Sequence, residues 1–316
     1  MIIEILLILI GFIFLIKGAD FLIKASISIA EKFSLSKMLI GLTIVAIGTS
    51  LPEIFITITS SLEGYSDLII GNSVGSCICN FLLVIGITSL ISDVKLDKTT
   101  IKAHFTIEIF IILLLLYFGN SNDIGKIQGI ILVLCAIFYV VYTIYEEKQN
   151  KELDKELIKE VEEIELKRNS IIIIILYIVL GLLGLKFGSD FVVNNATLIA
   201  NNLGFSQAFI GITVIAVGTA LPEIITGIIS AKKNENELFL GNIVGSNIIN
   251  LTLLIGIGSV IKPIKYNIEF NFSLIFLILI TIILQLIGIF NKKARINKTL
   301  GSIFILLYIG YVICVK

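Results

Sequence analysis

Two stretches of this sequence each occur twice, in both cases 170 residues apart. IGLTIVAIGTSLPEIFITITS at 40–60 lies over IGITVIAVGTALPEIITGIIS at 210–230, with 12 of 21 positions identical and no gap. LIIGNSVGSCICNFLLVIGITSLI at 68–91 lies over LFLGNIVGSNIINLTLLIGIGSVI at 238–261, with 14 of 24 identical. GADF at 18–21 falls on GSDF at 188–191 in the same register. A duplication of this kind obliges the halves to share a fold. Which fold depends on the solvent, and composition identifies it: 57% of residues are hydrophobic and 15% charged, against about 25% charged in a soluble domain. With a mean hydropathy of +1.04, the expected solvent is the lipid bilayer.

About 20 apolar residues cross a bilayer as a helix. On that rule the chain divides into ten candidate spans, near 2–30, 38–62, 68–91, 103–118, 124–145, 170–200, 206–231, 238–261, 269–290 and 298–315. The first and sixth are long enough to tilt strongly or to run on as interfacial helices. The opening MIIEILLILIGF carries an acid and no basic segment, so a retained span is expected rather than a cleaved signal. The spans group as a first five-helix repeat over 1–146, a loop over 147–169 and a second five-helix repeat over 170–316. Because five is odd, the second repeat must enter the membrane with the opposite orientation. Inverted repeats are the architecture of many secondary transporters, which bind substrate near the midplane where the halves meet.

Eighteen Lys and Arg fall in one set of alternate loops and flanks, whereas Lys126, Lys262, Lys265 and Lys316 alone occupy the other. Cytoplasmic loops are enriched in basic residues, so both termini are expected outside a cell membrane and the 147–169 loop in the cytoplasm. That loop places Leu153, Leu157, Val161 and Ile164 at helical spacing among charges of both signs, as in a short solvated or membrane-surface helix. The 24 basic and 24 acidic residues cancel, and nothing points to a nucleic-acid partner. Cys77, Cys79, Cys135 and Cys314 lie in apolar segments without metal or redox spacing and are expected to be buried thiols.

Glu53 and Glu223 are the most costly residues in the chain, each near the centre of an apolar stretch and at the same repeat position. An acid there costs roughly 2.5 to 3.5 kcal/mol, so it usually faces a polar cavity and serves an ion path. Thr49 and Thr219 precede the glutamates by four residues, and Ser76 with Asn80 and Ser246 with Asn250 repeat that spacing. Each such pair stacks on one helix face. Pro52 and Pro222 stand directly before the acids. Inside a helix each would free the carbonyl four residues back, Gly48 or Gly218, for the cavity. Non-helical backbone at that depth requires cover from protein or water, and the glycines of both motifs permit close packing. Carboxylate, hydroxyl, amide and carbonyl oxygens are the ligands of hard cations such as Ca2+ and Na+, while Mg2+ demands a stricter octahedron. Two carboxylates suit one Ca2+, two protons, or two or more Na+. Asp20 and Asp190, with Lys17 and Lys186 nearby, are expected to make structural or gating ion contacts, and His104 to be interfacial.

With AIGTSLPE and GNSVGSCICN in one half and AVGTALPE and GNIVGSNIIN in the other, the sequence resembles the calcium/cation antiporter family, and within it the compact prokaryotic and archaeal sodium/calcium exchangers. The resemblance implies an all-α polytopic membrane protein of about ten transmembrane helices, with discontinuous helices at the midplane and four oxygen-lined sites. It implies that Glu53, Glu223, Thr49 and Thr219 hold Ca2+. It implies further that Ser50, Ser76, Ser246, Asn80, Asn250 and the carbonyls of Ala46 and Ala216 join the glutamates in Na+ sites. The long first and sixth helices would slide over the other eight to alternate access. No cofactor is implied, the transported ions and the bilayer are the expected partners, and a single copy of the chain is expected to suffice. Ala220 departs from the common pattern by replacing a Ser, and Asn250 replaces an Asp found in some relatives. That amide lowers the pocket's formal charge to the two glutamates and argues against K+ co-transport.

The same acids would serve H+/Ca2+ exchange or other cation antiport, or form the constriction of a cation channel. The inverted repeat favours a carrier. An intramembrane hydrolase would need an activated nucleophile or a metal with His ligands, and Ser50 has no partner in the sequence.

Overall fold

The computed structural model describes residues 2–96, 98–121, 123–157, 170–203, 216–290 and 294–315. Its helices are α1 (Ile2–Lys32), α2 (Lys37–Thr49), α3 (Leu51–Glu63), α4 (Ser66–Ile91), α5 (Lys98–Ser121), α6 (Lys126–Leu157), α7 (Ile171–Asn202), α8 (Ala216–Thr219), α9 (Leu221–Lys232), α10 (Asn236–Ile261), α11 (Phe270–Phe290) and α12 (Lys298–Cys314). Seven of them, α1, α4, α5, α6, α7, α10 and α11, are long and apolar enough to cross a bilayer. α2 and α3 together make an eighth candidate, bent by 47° at Ser50. α12 is apolar but shorter, at 17 residues. The expected span 206–231 is described only from Ala216 onward, because 204–215 lie outside the described residues.

Burial separates the helices into a core and a rim. In α4 and α10, 72% and 83% of the apolar window is buried, against 22% and 28% in α1 and α7. The central pair therefore carries the polar chemistry, and the outer pair turns Ile2, Leu6, Ile13, Ile172, Leu176 and Leu183 outward. Such an apolar exterior is what lipid requires.

α1 and α7 run antiparallel along a seam of glycines, with Gly11 against Gly188 and Gly18 against Gly181 and Gly184. A Cβ at Gly18 would come within 2.7 Å of the Leu185 backbone nitrogen. Without a hydrophobic driving force between helices in lipid, approach at van der Waals distance is what binds such a pair. Gly41 meets Gly241 in the same manner, bringing α2 onto α10.

Short cross-links join distant parts of the chain. Strands β1 (Val94–Lys95) and β2 (Arg295–Ile296) pair antiparallel, Val94 opposite Ile296. Ile124 and Ile264 form a second bridge. Gly86 packs on Gly301, and Gly129 on Gly256.

Some expectations are met and others corrected. α6 continues without a break from the membrane to Leu157, so the first part of the 147–169 loop extends a spanning helix, while 158–169 lie outside the described residues. Glu147 on that extension accepts from the Ser36 backbone N–H and hydroxyl at 2.7 and 2.6 Å and fixes the start of α2. Asp20 pairs with Lys24 and Lys233 rather than Lys17, whereas Lys186 does reach Asp190, at 2.6 Å. His104 is buried, with Nε2 3.2 Å from Glu146 and its ring against Tyr139 and Tyr142. Cys77 and Cys79 are buried, Cys135 is half-buried, and Cys314 is exposed.

Candidate cation site

The two proline–glutamate steps begin helices instead of interrupting them. Ser50 breaks the α-helical path with φ −80° and ψ 4°, and Pro52 falls in the first turn of α3. Ala220, at φ −85° and ψ 0°, does the same before Pro222 in α9. Proline is tolerated there because its missing N–H has no intrahelical partner in any case. Glu53 and Glu223 consequently stand in the first turns of helices, where the dipole favours an anion. Of the two carbonyls expected to be freed for the cavity, that of Gly218 is taken by the Ser189 hydroxyl of α7 at 2.9 Å.

π-helical turns, which frequently mark functional sites, surround these steps. They occupy Gly41–Val45 in α2, Asn80–Val84 in α4 and Asn250–Leu254 in α10. Asn80 and Asn250 each open one. The extra residue in such a turn re-aims the side chains at its start, which periodicity alone does not reveal.

Around the acids the oxygens gather as follows. Ser76 Oγ lies 3.5 Å from Glu53 Oε1. Thr49 Oγ1 donates to Asn242 Oδ1 at 3.0 Å and lies 3.3 Å from Ser246 Oγ. The Ala46 carbonyl receives Ser246 Oγ at 3.3 Å, Thr49 Oγ1 at 3.5 Å and the Ser50 N–H at 3.1 Å. Residues of α2, α3, α4 and α10 thus meet at one level. Both glutamates are only 1% exposed.

Among the described residues, Glu53 Oε2, both Glu223 oxygens, Ser50 Oγ and both amide atoms of Asn250 have no hydrogen-bond partner. An unpartnered buried polar group costs about 1–3 kcal/mol, and more when charged. A cluster of them is a candidate site for a ligand that would satisfy them. The orphaned atoms are oxygens apart from one amide nitrogen, which fits a hard cation. Thr219 is half-buried at the end of α8, and Ala216 begins that helix. A cavity of about 240 Å3 reaches Ser76 and Thr219 between α4, α8 and α12, bounded by Gly71, Asn72, Gly75, Tyr308, Tyr311, Val312 and Val315. A Cβ at Gly75 would meet nothing within 4 Å.

Three residues at this level were not singled out from the sequence. Asn242 bridges Thr49 to Thr226 on α9, its Nδ2 3.4 Å from Thr226 Oγ1. Its signal was available, since it is the Asn of the second GNxxGS copy. Asn247 and Glu108 are the others, hydrogen-bonded at 3.0 Å. Glu108 is fully buried, an acid inside an apolar span like Glu53. The position 170 residues on is Ile278, so no duplication marks it.

Apolar spanning helices around a buried oxygen cluster define the class: a multi-pass membrane transporter of cations. The chain belongs to the sodium/calcium exchanger family, whose members' shared pattern, described as "Sodium/calcium exchanger protein", matches residues 3–145 and 173–315. It is 34% identical over 313 residues to the putative antiporter CaxA of Alkalimonas amylolytica, covering 98% of both chains. It is 29% identical to the sodium/calcium exchanger MaX1 of Methanosarcina acetivorans, covering 98% of this chain and 97% of that one. A solved structure of the sodium-calcium exchanger NCX_Mj, soaked with Na+ and Ca2+, superposes with a TM-score of 0.84 at 30% identity, over 100% of this chain and 99% of that one.

Proposed function

We propose that this chain exchanges Ca2+ for Na+ across the membrane by alternating access, without a cofactor. The observation that carries the reading is the pair of buried glutamates with unpartnered oxygens, ringed by neutral oxygens, in a member of the sodium/calcium exchanger family. Ca2+ is held by Glu53, Glu223, Thr49 and Thr219. Na+ uses the same acids with Ser50, Ser76, Ser246, Asn80, Asn250 and the carbonyls of Ala46 and Ala216. Two negative charges balance one Ca2+ or two Na+, so the ions compete for one set of oxygens. That competition is the physical basis of exchange, because either cargo satisfies the buried charge and neither has to share it.

The finer architecture is ten helices in two inverted five-helix repeats, 1–146 and 170–316, joined by a cytoplasmic 147–169 loop, with both termini outside. Reciprocal contacts support the repeat. Gly11 meets Gly188 while Gly18 meets Gly181; Gly86 meets Gly301 while Gly129 meets Gly256; Val94 meets Ile296 while Ile124 meets Ile264. In each pair of contacts, moving both partners 170 residues into the other half reproduces the second contact to within two residues. Such reciprocity is that of an approximate two-fold axis between the halves. Sliding of the glycine-seamed α1–α7 pair over the core would open the site to each side in turn, and one copy of the chain contains the whole site.

The deciding experiment uses protein in Na+-loaded liposomes diluted into Na+-free medium containing radioactive Ca2+. Uptake should follow the outward Na+ gradient and collapse when it is dissipated. Uptake that ignores Na+ and follows a pH gradient would establish H+/Ca2+ exchange instead.

A further inference from the structure

Asn80 and Asn250 occupy equivalent positions in the two halves, each opening a π-helical turn, yet their surroundings differ. Neither amide atom of Asn250 has a hydrogen-bond partner among the described residues. Asn80 is held: its Nδ2 donates to Asn247 Oδ1 at 3.0 Å. Asn247 is held in turn, its Nδ2 donating to Glu108 Oε1 at 3.0 Å and lying 3.5 Å from the Cys77 carbonyl. Asn80, Asn247 and Glu108 are 2%, 0% and 0% exposed.

The relay has a direction, and Glu108 sets it. A carboxyl oxygen that carries no hydrogen can only accept, and Glu108 Oε1 accepts here, so the amino end of Asn247 lies toward it. The Asn247 oxygen then faces Asn80 and draws out the Asn80 amino group. With its amino group engaged on that side, Asn80 keeps its carbonyl oxygen at the other corner of the amide, clear of Asn247. An amide flipped end for end would aim its N–H groups at the cation instead of its oxygen, which is repulsive.

We propose that Glu108 is a positioning residue for Na+ binding, acting through Asn247 to keep the Asn80 oxygen aimed at the cation site. The relay belongs to one half only. Cys77 stands where the second half has Asn247, and Ile278 where a second Glu108 would fall. Among the described residues the duplicated site therefore has one hydrogen-bonded amide and one unpartnered amide. The inference rests on the assignment of Asn80 as a Na+ ligand.

The test measures the apparent Na+ and Ca2+ affinities of the full-length protein in liposomes for Glu108→Leu, Asn247→Leu, Glu108→Gln and Asn80→Ala. Thermal unfolding in detergent verifies that each variant is folded. Loss of one neutral hydrogen bond's worth of orientation corresponds to about threefold to tenfold. Glu108→Leu and Asn247→Leu should each weaken apparent Na+ affinity by that factor, with Ca2+ affinity within about twofold of the parent. Glu108→Gln should restore most of it, since its amide oxygen can accept from Asn247 in the same direction. A merely structural role would lower the unfolding temperature and leave the ratio of the two affinities unchanged. If Asn80→Ala weakens Na+ binding while both Leu variants leave it unchanged, the positioning role is overturned and the site assignment survives. If Asn80→Ala itself leaves Na+ binding unchanged, the site assignment fails. Glu108→Gln as damaged as Glu108→Leu would overturn the hydrogen-bond relay.

Discussion

At the scale of single residues, the site is a balance between burial and charge. Glu53 and Glu223 are buried with three of their four carboxylate oxygens unpartnered among the described residues. In the proposed mechanism the energy of holding them there is recovered when a cation binds. Glu53→Gln and Glu223→Gln keep shape and remove one charge each, so the pocket can no longer neutralise Ca2+. Each should abolish Na+-dependent Ca2+ uptake while the protein remains folded, as judged by gel filtration in detergent. Near-normal uptake by either would remove that residue from the site. Thr49→Ala takes away one neutral oxygen among several, and also the donor to Asn242 at 3.0 Å. A loss of about tenfold or less in apparent affinity is expected, the size of one hydrogen-bonding group.

The elements obey a different constraint, which is how closely backbones may approach. Gly18→Leu would force α1 away from α7, because even a Cβ would sit 2.7 Å from one backbone atom and 2.8 Å from another. A lower unfolding temperature and lost transport are expected together. Gly75 is the contrasting case. Nothing stands within 4 Å of a Cβ placed there, and the residue lines the cavity that reaches Ser76 and Thr219. Gly75→Val should leave thermal stability nearly unchanged and slow Ca2+ uptake by narrowing the approach. Unchanged rates in that variant would show that ions use another route.

At the scale of the whole molecule, orientation rests on charge and coupling on packing. Cys314 is exposed near the C-terminus, and the topology proposed from the distribution of Lys and Arg has that end outside. A membrane-impermeant thiol reagent applied to intact cells should therefore label Cys314, and a Cys314→Ser variant should lose that label. Labelling confined to inverted vesicles would reverse the topology. The pair of Asp20 on α1 with Lys233 at the end of the α9 segment, at 2.6 Å, joins the outer helix pair to the core. It would have to break in any sliding motion.

Much of the fold was legible because lipid makes burial and hydropathy nearly the same question. A run such as 269–290 had one thing to do, and α11 covers Phe270–Phe290. The two glutamates were equally legible, since an acid in hydrocarbon is costly enough to require a reason and duplication supplied the register. What the sequence could not carry was local backbone geometry and single-copy chemistry. Proline next to Glu53 signalled a break, but only the structure placed it in the first turn of a new helix, where it frees no carbonyl of its own. The π-helical turns at Asn80 and Asn250 leave no trace in hydropathy. Glu108 and Asn247 stand 139 residues apart and have no repeat counterparts, so neither spacing nor symmetry could pair them. By itself the sequence determined the solvent, the long apolar helices and the doubled acidic motif, because each is written in local composition. Which oxygens face one another, and which asparagine is held while its twin is free, was decided by tertiary structure, because those relations exist only where distant helices pack.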